Sequence, residues 1–198
     1  MNQKEFKRRR AQLMKMIGKG NIAIVSSSSM QTRNRDVEFP FRPDSDFYYL
    51  TGFPEPEAVA VLVPGRGHGE YLLFCRERDP QMETWTGRRA GTAGAVESWD
   101  ADDAFPISDI DDILPGLLEQ CDRVFCTMGN DPAFDRRVMD WVNRLRQGGR
   151  SGTRTPDEFV SLEHLLHDMR LYKSRSEVRV MRTAAKVACQ AHRRAMQA

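Results

Sequence analysis

The sequence predicts an α/β domain in which helices flank a mixed sheet. Three observations carry that reading. Amphipathic helical segments alternate with short apolar runs of strand length. Two neighbouring runs, Ala58 to Val63 and Tyr71 to Cys75, are joined by a glycine-bearing turn and read as a β-hairpin, which brings antiparallel pairing into the sheet. The composition is that of an ordinary globular chain: 198 residues, 40% hydrophobic and 29% charged.

Charge and cysteine usage narrow the function classes. A net charge of +2 makes no case for nucleic acid or an anionic membrane as partner. The four cysteines are scattered, without a Cys-x-x-Cys pair. With a charged N-terminus that has no apolar run for export or insertion, they read as reduced thiols in a cytoplasm.

Residues 3–17 form an amphipathic helix with Phe6, Leu13, Met14 and Ile17 on one side. Lys7, Arg8 and Arg9 fall elsewhere and read as a solvated face. Gly18 and Gly20 end the helix. Ile22 to Val25 is a short buried strand. The four serines after it, Ser26 to Ser29, have no base nearby and read as a polar loop.

Glu38 to Ala58 mixes residues that seldom share a short segment. Phe39, Phe41, Phe47, Tyr48, Tyr49 and Phe53 are interleaved with Arg42, Asp44, Asp46 and four prolines. The prolines make the flanks extended or turned. The aromatic centre, Asp46 to Leu50, predicts a strand broken by Thr51-Gly52. The Pro64–Gly69 turn lacks the spacing of a phosphate loop.

Glu83, Trp85, Arg88 and Arg89 predict a glycine-bearing loop that presents an aromatic and a guanidinium pair to a ligand or neighbour. Ser108 is expected to cap a helix carrying Ile110, Ile113, Leu114, Leu117 and Leu118, kinked or shortened by Pro115-Gly116. Arg123 to Cys126 is a strand. Pro132 to Leu145 is a second amphipathic helix with Phe134, Val138, Trp141, Val142 and Leu145 inward. Gln147 to Thr155 is a polar linker with Arg146, Arg150 and Arg154 in or beside it.

Leu162 to Leu171 is a helix with His164 and His167 one turn apart. It lacks the glutamate after the first histidine that a zinc-protease helix carries, so both are read as structural. Ser174-x-x-Glu177 is a capping box. It opens a terminal helix with Val178, Met181, Ala185, Ala188 and His192 on one stripe.

The run Phe-Arg-x-Asp-Ser-Asp-Phe-Tyr-Tyr-Leu-Thr-Gly-Phe-x-Glu-Pro-x-Ala, from Phe41 to Ala58, resembles the signature of the N-terminal domain of Xaa-Pro aminopeptidases in the creatinase and prolidase superfamily. Arg76 to Asp79 with Glu83 to Gly91, and Met169 to Ser174, resemble further segments of that family. The resemblance implies a ribonuclease-H-like α/β domain over residues 1–173, with 174–198 as linker and first helix of a C-terminal metallopeptidase domain. It implies an enzyme that releases the N-terminal residue from peptides with proline second. Its pair of divalent metals, usually manganese, would be held in that C-terminal domain. No catalytic residue and no metal ligand is then expected in this chain, which alone would be inert. The resemblance further implies a homo-oligomer in which this domain closes the rim of the active site. Trp85 would be an apolar wall and Asp36 an anchor for a peptide ammonium or basic side chain. Arg42, Arg88 and Arg89 would fix loops and subunit contacts. A stand-alone interaction module of the same fold is the alternative.

Overall fold

The computed structural model describes residues 3–148 and 154–197. In chain order these form α1 (Gln3–Ile17), β1 (Asn21–Ser26), β2 (Thr32–Asn34), β3 (Val37–Glu38), α2 (Ser45–Thr51), β4 (Val59–Leu62) and β5 (Tyr71–Cys75). Then come α3 (Pro80–Thr86), α4 (Gly91–Trp99), β6 (Asp103–Pro106), α5 (Ile110–Leu118), β7 (Arg123–Cys126), α6 (Pro132–Gly148), β8 (Glu158–Ser161), α7 (Glu163–Leu171) and α8 (Arg175–Gln197). The chain divides into two compact units, Asn2–Glu163 and His164–Ala198.

The larger unit is built on a six-stranded mixed sheet of order β6-β5-β4-β1-β7-β8. β4 runs antiparallel to both neighbours, while β1-β7, β7-β8 and β5-β6 are parallel. This is the expected ribonuclease-H-like arrangement, with β6 added at one edge. Strands β1, β4 and β5 read as unbroken apolar runs because both faces of the sheet are covered. One face meets α5 and α6 in a core that includes Ile22, Ile24, Val61, Phe74, Leu114 and Trp141.

The aromatic run is a helix, not the strand expected from its composition. Asp44 Oδ1 accepts from the amides of Asp46 and Phe47, which caps the N-terminus of α2. Gly52, at φ 65°, turns the chain left-handed and its N–H bonds Tyr48 O. Two caps that enclose seven residues outweigh the strand preference of the aromatics. Phe47, Leu50 and Phe53 are buried, so the run still serves the core.

The solvated arginine face of α1 is also corrected. Lys7 and Arg8 are exposed, but Arg9 and Arg10 are 2% and 3% exposed. The last carbonyls of a helix lack intrahelical donors. Arg9 Nη1 and Arg10 Nη1 donate to Tyr49 O and Leu50 O at the end of α2, each at 3.1 Å. Their guanidinium planes lie 4.0 Å from the Tyr49 and Tyr71 ring centroids respectively. Positive charge at a helix C-terminus is also favoured by its dipole.

Ser108 does not cap α5. It lies in a 3₁₀ turn, and its hydroxyl meets Asp109 Oδ1 at 2.8 Å. Pro115 sits inside α5 and removes the donor that Asp111 O would have had. Arg144 Nη1 of α6 supplies a replacement at 2.8 Å. The Asp111 carboxylate takes two bonds from Arg137, at 3.2 and 3.0 Å, and one from Trp141 Nε1 at 2.7 Å. Burial pushes this carboxyl up, but the bonds from Arg137 and Trp141 and the charges of Arg137 and Arg144 outweigh it and hold it below the ordinary range.

A depressed carboxyl stabilises the fold above its unfolded pKa and loses that contribution as pH falls through its folded pKa. Asp111→Asn is therefore expected to lower the melting temperature at neutral pH. The gap from wild type should close as the solution is acidified below the ordinary carboxylate range. A gap that stays constant into acid would show that the charge of Asp111 contributes nothing.

Gln147 and Gly148 belong to α6 rather than to a linker. Arg146 donates to Pro156 O, and Arg154 pairs with Asp122 at 2.9 Å. Arg150, with the rest of residues 149–153, lies outside the described residues. Cys75, Cys121 and Cys126 are buried and unpaired, and burial pushes the Cys75 thiol up to about 12. In the smaller unit, the Ser174 amide bonds Glu177 Oε2 at 2.8 Å and the Glu177 amide bonds Ser174 Oγ at 3.3 Å, the expected capping box. α8 carries no buried residue. Among the described residues no helix is long and apolar enough to cross a membrane.

Candidate functional site

Between the end of β5 and the start of α4 the chain makes an excursion whose glycines predict a loop. Its middle is α3. Asp79 caps this helix by accepting from the amides of Gln81 and Met82, and Pro80 occupies the first turn, where its missing donor costs nothing. Gly87, at φ 83°, ends it. Arg78 grips Glu83 through two bonds of 3.2 Å, which hold the Glu83 carboxyl below its ordinary range. Glu83 and Trp85 are thus helical, and Arg88 and Arg89 follow in the return segment.

Trp85 stands at the C-terminal end of α3 with 86% of its surface exposed. An indole this exposed has no packing role in its own domain. Beside it lies an open hollow of about 1320 Å³ whose wall includes Trp85, Arg88, Arg89, Arg76 and Glu55. Arg89 Nη1 reaches Glu77 O at 3.4 Å, and Glu55 takes the Ala90 amide at 2.6 Å.

The structure brings together three of the residues singled out in the sequence, Trp85, Arg88 and Arg89. Asp36 and Arg42 do not line the hollow, although Glu38 and Phe41 near them in the chain do. Asp36 is exposed in the turn between β2 and β3. Arg42 is exposed and donates to Ser45 Oγ at 3.4 Å, next to the cap of α2. Glu55 was not singled out as a site residue. Its signals in the sequence are its fixed place in the Phe-x-Glu-Pro-x-Ala end of the motif and the prolines on either side of it. Among the described residues no group of three His, Cys, Asp or Glu side chains is placed to hold a metal ion.

The family model for the aminopeptidase P, N-terminal domain matches residues 6–125. The chain belongs to this family. Xaa-Pro aminopeptidase of Escherichia coli strain K12 is 37% identical over 198 residues, covering 100% of this chain and 45% of that protein. The mitochondrial intermediate cleaving peptidase 55 of Arabidopsis thaliana is 32% identical, over 94% of this chain and 35% of its own length. The structure of Pseudomonas aeruginosa aminopeptidase PepP superposes with a TM-score of 0.96 at 60% identity, over 99% of this chain and 44% of that one. The low-pH form of E. coli aminopeptidase P gives 0.94 at 38% identity, with 99% and 45% covered. The chain therefore spans less than half the length of these aminopeptidase P relatives.

Within the family motif most residues build the fold. Asp44 caps α2, Gly52 ends it, and Thr51 Oγ1 bonds Phe47 O at 2.8 Å while accepting the Phe53 amide at 3.0 Å. Phe53 packs edge-on to Trp99 with centroids 5.2 Å apart. The motif residue that lines the hollow with its charge is Glu55.

Proposed function

We propose that this chain is the N-terminal, non-catalytic domain of a manganese-dependent Xaa-Pro aminopeptidase, contributing subunit contacts and the rim of the active site. The observation that carries the reading is the match to an N-terminal domain model together with coverage of only 45% of the E. coli relative. In this reading the catalytic domain begins near Ser174, and residues 174–198 are its linker and first helix. The manganese pair finds no fitting ligand set among the described residues, so no chemical step is assigned to them.

What the chain supplies is binding. Trp85 offers a flat apolar wall, and its 86% exposure is what a group awaiting a partner surface would show. Asp36 would accept from a peptide ammonium or basic side chain. Arg42, Arg88 and Arg89 would fix loops and contacts within a homo-oligomer. A reducing, cytoplasmic setting suits three buried free thiols.

The test has two arms. The purified chain is expected not to hydrolyse an Xaa-Pro peptide with manganese added. Metal-dependent turnover by homogeneous chain would sink the reading. In the complete enzyme, Trp85→Ala is expected to lower peptide turnover roughly tenfold, the scale of one interface anchor. The same change should move the stability of this chain by no more than about 0.5 kcal/mol, as for exposed substitutions generally. Equal loss of stability and turnover would make Trp85 a structural residue. A continuation of the chain without Asp, Asp, His, Glu and Glu ligands would favour the interaction module.

A further inference from the structure

The segment between Arg76 and Ala90 carries Trp85 away from the sheet and back, yet it has no core of its own. α3 contains no buried residue. A segment with few buried apolar contacts opens easily, so its position depends on polar contacts at its two feet. Both feet meet the same side chain. At the outgoing foot Arg76 Nη2 stands 3.8 Å from Glu55 Oε2. At the returning foot the Ala90 amide donates to Glu55 Oε1 over 2.6 Å.

Glu55 is well placed to anchor them. Its side chain is 12% exposed, and its carbonyl accepts from Ser27 Oγ at 3.3 Å. Pro54 and Pro56 restrict the backbone on either side of it. Glu55 Oε2 and Arg76 Nε are both buried without a hydrogen-bond partner. A small closure of this pair, or one bridging water, would satisfy a donor and an acceptor at once.

We propose that Glu55 is a positioning residue: its carboxylate clasps both feet of the α3 arm and fixes where Trp85 stands. The functional consequence rests on the reading of Trp85 as a wall of the substrate site. The test does not, because it needs no peptide.

The chain has three tryptophans, so ¹⁵N-labelled protein gives three indole N–H signals, and Trp85→Phe identifies the one from the arm. In Glu55→Ala the heteronuclear NOE of the Trp85 indole is expected to fall toward that of a mobile group. Those of Trp99 and Trp141 should be unchanged. Exchange of the Glu83 and Gly87 amides, which bond Asp79 O and Glu83 O, should accelerate by about tenfold or more. Glu55→Gln keeps an acceptor for the Ala90 amide and should restore most of the wild-type relaxation. Ala90→Pro removes that amide at a φ of −64°, which proline adopts, and should reproduce the Glu55→Ala signature without touching the carboxylate. An unmoved Trp85 signal in Glu55→Ala and Ala90→Pro would overturn the proposal. So would parallel changes in all three indoles, which would make Glu55 a support of the whole domain.

Discussion

Gly52→Ala is expected to destabilise the larger unit by about 3 kcal/mol, the sum of left-handed strain and overpacking. The residue sits at φ 65°, where a Cβ is disfavoured on its own. The added atom would also overlap the Phe6 ring, 2.6 Å from Cζ. That ring has little room to retreat, since Phe6 is 3% exposed and packs edge-on to Tyr48 at 5.9 Å. Gly20→Ala separates the two costs. Gly20 has φ 76°, but its nearest neighbour to a new Cβ is Asp122 Oδ2 at an ordinary 3.7 Å. It should show the strain alone, about 1 kcal/mol. Urea unfolding of both variants gives the comparison. Equal losses would mean that the overlap with Phe6 is relieved at no cost.

The central sheet was legible because its strands are covered on both faces. Ile22 to Val25 lies within an observed strand, Ala58 to Val63 contains one, and Tyr71 to Cys75 and Arg123 to Cys126 coincide with theirs. Edge strands were not. Asp103–Pro106 and Glu158–Ser161 have only partly buried or exposed side chains, so no apolar run marks them. α2 failed for a different reason. Seven residues are two turns, too few for a period to show, and the aromatics spoke for a strand. Its caps were nevertheless written in the sequence as Asp44 and Gly52, eight positions apart.

The candidate site divides in the same way. Trp85, Arg88 and Arg89 were legible because a tryptophan and paired arginines between glycines have little reason to be core. Glu55 was not, since its partners Arg76 and Ala90 are distant in sequence and one of them is a backbone amide. Arg9 reads as solvated, and nothing in the sequence marks Arg10, because charge on a helix defaults to solvent. What buries them is a pair of carbonyls 40 residues away, which no local pattern reports.

Arg10→Ala is expected to cost about 3 kcal/mol, the sum of an orphaned buried carbonyl and a lost cation–π contact. The reason, however, is not chiefly the ion pair. Arg10 is 3% exposed, and burial pulls its guanidinium down from its ordinary value against the opposing charges of Asp100 and Asp102. It stays charged, since a guanidinium does not deprotonate in a protein. Its Asp100 partner, at 3.4 Å, keeps 39% of its side chain exposed, so water can replace the arginine there. Leu50 O has no such recourse. Its bond from Arg10 is buried, and losing it leaves an orphan carbonyl at about 1–3 kcal/mol. The Tyr71 ring loses its stacked cation as well. Asp100→Asn is the discriminating partner variant. Asp100 holds φ 62° at the end of α4, a conformation asparagine accepts, so the change removes charge without backbone strain. It should cost less than about 1 kcal/mol, as for a partly exposed pair. If Asp100→Asn cost as much as Arg10→Ala in the same urea titration, the ion pair would be the main term, and the closing of the α2 terminus by Arg10 would be secondary.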